Sequence, residues 1–108
     1  MDSQLIQSVL IEALKTERMR QDNKWGEQNH APGYWARIFA EEYGEASKCY
    51  LEGDMAGYRR ETIEAAAVLL AELECHDRLS YLTKQASQGD QGDDEPGGGD
   101  DGSGGAGS

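Results

Sequence analysis

The chain has 108 residues, 37% of them hydrophobic, and a net charge of −11. That length bounds it to one domain. The acidic balance excludes non-specific binding to duplex nucleic acid, which needs a basic surface.

From residue 87 onward the sequence is mostly Gly, Asp, Ser and Gln, with one Pro and no aliphatic side chain larger than Ala. Such a stretch buries too little apolar surface to offset its ordering entropy. We therefore expect a domain over 1–86 and a flexible acidic tail over 87–108. The tail carries Asp90, Asp93, Asp94, Glu95, Asp100 and Asp101 and no base, so removing it takes the net charge from −11 to −5. No apolar run approaches the ~18 residues a membrane span requires, and no membrane partner is expected. Cys49 and Cys75 form no CxxC pair, and the N-terminus has no signal-peptide pattern. Two reduced thiols in a cytoplasmic protein are the expectation.

Residues 3–22 read as the first helix. Ser3 is a candidate N-cap, and Leu5, Ile6, Val9, Leu10, Ala13 and Leu14 form an apolar stripe at helical spacing. Past Met19 the pattern turns polar. Residues 23–33 read as a loop, because Asn23, Gly26, Asn29, Pro32 and Gly33 are turn formers. This loop also holds Trp25 and His30. A second helix should run from about Tyr34 to Glu52, ended by Gly53-Asp54. A third should run from about Met55 to Ala86, with Gly57 as a candidate break. No alternating strand pattern competes. The fold class is all-α, three helices with a long third. Val68, Leu69, Leu70, Ala71 and Leu73 ring much of that helix, so a homo-oligomer, dimer or tetramer, is expected to complete the bundle.

Two acidic strings stand out: Glu41-Glu42-Tyr43-Gly44-Glu45 and Glu61-Thr62-Ile63-Glu64. Glu42 and Glu45 are i and i+3, as are Glu61 and Glu64, so each pair shares a helix face. Fifteen residues separate Glu45 from Glu61, enough for an antiparallel return. Four carboxylates from two facing helices offer an oxygen-only cage of the kind that suits Mg²⁺ or Mn²⁺. Like charges at this spacing destabilise a helix, and a half-buried cluster is costly unless neutralised. The plainer alternative is a solvated acidic face, since Glu is a strong helix former.

The order Glu42-x-x-Glu45, fifteen residues, Glu61-x-x-Glu64 resembles the ExxE…ExxD signature of the all-α nucleoside triphosphate pyrophosphohydrolases. The similarity is to the MazG-like branch and its short phage-type members. Trp25-Gly26-Glu27-Gln28-Asn29-His30 resembles that family's W-D-x-x-Q-T-H segment. The match spans roughly residues 15–78. Two departures are visible: Glu64 stands where Asp is usual, and no Cys-Pro precedes the Trp.

The resemblance implies hydrolysis of a nucleoside triphosphate to monophosphate and pyrophosphate. It implies Mg²⁺, with Mn²⁺ as a substitute, on Glu42, Glu45, Glu61 and Glu64, lowering the pKa of a bound water. Glu41 or one cage carboxylate would take the water's proton. Lys48, Lys24 and Arg60 are candidates for holding the triphosphate. Trp25, Tyr34 and Trp35 are candidates for stacking on the base, and His30 for a hydrogen bond near it. Three other readings compete. A ferritin-like di-metal site needs two Glu-x-x-His pairs on helices, and the one such pair, Glu27 to His30, falls in the loop. An acidic helical module binding a protein would need no metal. A nucleotide sensor would keep the fold without the catalysis.

Overall fold

The structure, a computed structural model, describes the backbone of residues 2–91 and side chains through Ala86. It is all-helical: α1 spans Ser3–Trp25, α2 Pro32–Leu51 and α3 Met55–Gln91, with no strand among the described residues. The chain divides into two units, residues 1–76 and residues 77–108. The first holds α1, α2 and α3 up to His76. The second begins with the rest of α3, where Thr83 Oγ1 donates to the Leu79 carbonyl at 2.9 Å. Most of the expected tail lies outside the described residues, and α3 runs five residues past the expected end at Ala86.

The helix ends follow local chemistry. Asp2, not Ser3, caps α1, its Oδ1 accepting from Gln4 N at 3.4 Å. The helix continues three residues beyond the expected end at Asp22, so Lys24 and Trp25 lie in its last turn rather than in a loop. Its polar end is laced by same-helix pairs: Arg18 with Asp22, and Arg20 with Glu17. Such pairs support a helix without apolar residues. Pro32 opens α2, where its missing N–H costs nothing.

The α2–α3 turn is a Schellman motif. Asp54 N donates to the Cys49 carbonyl at 2.9 Å and Gly53 N to the Tyr50 carbonyl at 3.1 Å. Gly53 takes φ 79°, the left-handed conformation this motif requires. Asp54 Oδ1 then caps α3 by accepting from Gly57 N at 2.9 Å. Gly57 is therefore no break. It is a close approach, where an added Cβ would collide with the Asp54 carboxylate and come within 2.9 Å of Cys49 Sγ.

Small residues let α2 and α3 pack closely. Ala46 of α2 and Ala65 and Ala67 of α3 are buried. Beside them Trp35, Val68, Ala71 and Cys75 form the core, with Ile38 and Phe39 packed against it. Two hydrogen bonds tie α1 to α3 in this unit: Arg18 Nε donates to Glu74 Oε2 at 3.0 Å, and buried Gln21 reaches the Glu64 carbonyl at 3.4 Å. The pairing runs antiparallel, since the lower α1 residue meets the higher α3 residue. Leu5, Ile6 and Val9 of the α1 stripe stay exposed in the single chain, as do Leu69, Leu70 and Leu73. No helix among the described residues is long and apolar enough to cross a membrane.

Candidate functional site

The α2–α3 hairpin brings the two acidic strings together. One carboxylate oxygen each of Glu42, Glu45 and Glu61 lies within 4.8 Å of the others. Glu42 and Glu61 are half-buried and Glu45 is exposed. Ala46 follows Glu45 and Ala65 follows Glu64, so the small residues that permit the close helix approach adjoin the carboxylates.

Glu64 lies outside the tight set of three but is coupled to it. Its negative charge acts on Glu42. Burial, then the charges of Glu45, Glu64 and Glu61, push the Glu42 carboxyl up to about 7. Glu42 Oε1 and Glu61 Oε1 are buried with no hydrogen-bond partner among the described residues. Buried carboxylate oxygens without a donor are costly. A hard divalent cation is the kind of group that would satisfy them, because the donor set is oxygen alone.

The other expected residues fall into distinct places. Glu41 is exposed and outside the set of three, and Lys48 is exposed one turn beyond Glu45. Arg60 Nε lies 3.6 Å from Glu61 Oε2, at the edge of the cluster. Lys24 Nζ sits 4.7 Å from the centre of the Trp25 ring, and that ring is 51% exposed. His30 packs against Tyr34 and Trp35, with ring centroids 4.5 and 5.0 Å away. Its carbonyl accepts from Cys75 Sγ at 3.8 Å. Trp35 is only 3% exposed, so it serves the core and offers no face to a base. Tyr34 remains exposed.

Sequence reasoning missed the α1 side of the site. Glu17 accepts from Arg20 Nε at 2.8 Å and from Arg20 Nη2 at 2.7 Å. The same Glu17 Oε2 takes Gln21 Nε2 at 3.3 Å, and that amide also donates to the Glu64 carbonyl. Glu17 first, and then the charges of Glu64 and Glu42, hold the Arg20 guanidinium in its charged form. The available signal was the polar end of α1, which holds Glu17, Arg18, Arg20 and Gln21 in five residues. The chain matches no family model, no curated protein and no solved structure.

Proposed function

We propose that this protein is a metal-dependent nucleoside triphosphate pyrophosphohydrolase of the MazG-like kind, converting (deoxy)nucleoside triphosphates to monophosphate and pyrophosphate. The observation that carries the reading is the convergence of Glu42, Glu45 and Glu61, two of them with buried, unpartnered oxygens. In this reading Glu42, Glu45 and Glu61 hold Mg²⁺ or Mn²⁺, with Glu64 completing the acidic wall. The cation would supply charge neutralisation on the phosphates and a more acidic water.

The chain's own groups have separate tasks. Glu41 or a carboxylate of the cluster takes the proton of the attacking water, and the α–β anhydride bond breaks. Lys48 and Arg60 stand on the two helices that carry the carboxylates and offer positive charge to the triphosphate. Trp25, with Lys24 over its ring, offers an exposed aromatic face to a base. His30 belongs to the loop that joins this turn to the core. The uncovered Leu69, Leu70 and Leu73 support a homo-oligomer.

The test is pyrophosphate release from ribo- and deoxyribonucleoside triphosphates with Mg²⁺, with Mn²⁺ and with a chelator. Metal-dependent release, lost in Glu45→Gln, is expected. No turnover on any nucleotide, with normal folding and no metal binding by calorimetry, would put an acidic protein-binding module in its place.

A further inference from the structure

Arg20 is the cation that no motif predicted, and its setting differs from that of the other bases near the site. Arg60 and Lys48 are exposed surface bases, and Lys24 is engaged by an aromatic ring. The Arg20 guanidinium is gripped by both oxygens of Glu17. That carboxylate is only 11% exposed, whereas Arg20 is 48% exposed. Glu17 is in turn fixed by buried Gln21, which is tied to the backbone of Glu64. The guanidinium is thus braced on a third helix, one residue before the side chain that reaches the Glu64 carbonyl. A guanidinium held by two contacts on one side keeps donors for an anion on the other.

We propose that Arg20, oriented by Glu17, is the polyphosphate-contacting residue that α1 contributes to the site. The inference rests on the pyrophosphohydrolase reading and adds a residue to it. The charge logic gives it a signature of two signs. Without ligand, Arg20 partly neutralises the carboxylates. A cation seated among them is repelled by Arg20, while a polyphosphate bridging cation and guanidinium is attracted to both. Removing Arg20 should therefore strengthen cation binding and weaken polyphosphate binding. A purely structural role would weaken both together.

The experiment is calorimetry on the full chain with Arg20→Ala and Arg20→Lys, using Mg²⁺ alone and then inorganic tripolyphosphate at saturating Mg²⁺. Arg20→Ala lies on an exposed helix surface, where Ala is the best helix former, and thermal melting checks that it folds. Mg²⁺ affinity should rise about two- to fivefold in Arg20→Ala, by loss of one nearby positive charge. Tripolyphosphate affinity should fall about 10- to 100-fold, the scale of a charge-assisted hydrogen bond. Arg20→Lys keeps the charge and should hold Mg²⁺ affinity while recovering part of the tripolyphosphate affinity. Unchanged tripolyphosphate binding in Arg20→Ala, or a parallel fall of both affinities, overturns the role of Arg20 alone. Wild-type protein that binds neither probe overturns the hydrolase reading, and this inference with it.

Discussion

Replacing Glu42 by Gln should make the metal-free protein more stable at neutral and higher pH. The folded protein pushes this carboxyl from 4.5 up to about 7, through burial first and then the charges of Glu45, Glu64 and Glu61. A folded value above the unfolded one means that the native state binds more protons between these limits. Stability then falls as pH rises from about 4.5 to about 7, and the loss is complete above that window. The shift of about 2.5 units has a ceiling of about 3.4 kcal/mol at ~1.36 kcal/mol per unit. Glu42 is half-buried and partly screened by solvent, which reduces the figure to about 1–2 kcal/mol.

Glu42→Gln removes the charge and nearly keeps the shape. Its melting temperature without metal should exceed wild type by about 5–10 °C near pH 8. The difference should vanish near pH 4, where wild-type Glu42 is neutral in both states. The assay is thermal unfolding followed by circular dichroism at both pH values, with chelator and then with Mg²⁺. Added Mg²⁺ should stabilise wild type and do much less for the variant. A variant less stable than wild type near pH 8 without metal would refute the reasoning, because the cluster would then not be under electrostatic strain. So would an equal Mg²⁺ response in both proteins.

Three further outcomes are expected. Mg²⁺ affinity should climb from about pH 6 to about pH 8, because binding displaces the proton of Glu42; calorimetry in two buffers of different ionisation enthalpy should read a released proton at the lower pH. Trp35→Ala should cost about 3–5 kcal/mol in denaturant unfolding, since the ring is buried in the core, while Trp25→Ala should change stability by less than about 0.5 kcal/mol. Gly57→Ala should destabilise by about 1 kcal/mol or more in the same measurement, although Ala is the better helix former, because the new Cβ displaces the Asp54 cap.

The helices that pair apolar periodicity with clear caps were readable. The turn at Gly53-Asp54 and the two carboxylate pairs follow from spacing and residue type alone. The end of α1 did not follow, because Gln21, Asp22 and Asn23 give no apolar period. Their segment is held by side-chain pairs on its own surface and by Arg18 to Glu74 across to α3. Gly57 misled for a different reason. In isolation it weakens a helix, whereas here its missing Cβ is what lets Asp54 and Cys49 sit against α3. Spacing likewise cannot distinguish Trp35 in the core from Trp25 in the open, since both lie beside turn residues.

The pairing of α1 with α3 explains why the carboxylate cluster alone is an incomplete description of the site. Glu42, Glu45 and Glu61 come from a local hairpin, so sequence spacing is enough to bring them together. Arg20 comes from a helix more than twenty residues earlier in sequence, held by Glu17, which accepts from the same Gln21 amide that reaches the α3 backbone at Glu64. A surface acidic face would need no such partner, because water screens it. Here burial raises Glu42 and leaves oxygens of Glu42 and Glu61 without donors, while Glu17 fixes a guanidinium on α1. These are costs to folding that a packed apolar hairpin would not carry. In the function proposed above, a cation and the polyphosphate it carries would offset these costs together, and the Glu42→Gln and Arg20→Ala measurements separate the two contributions.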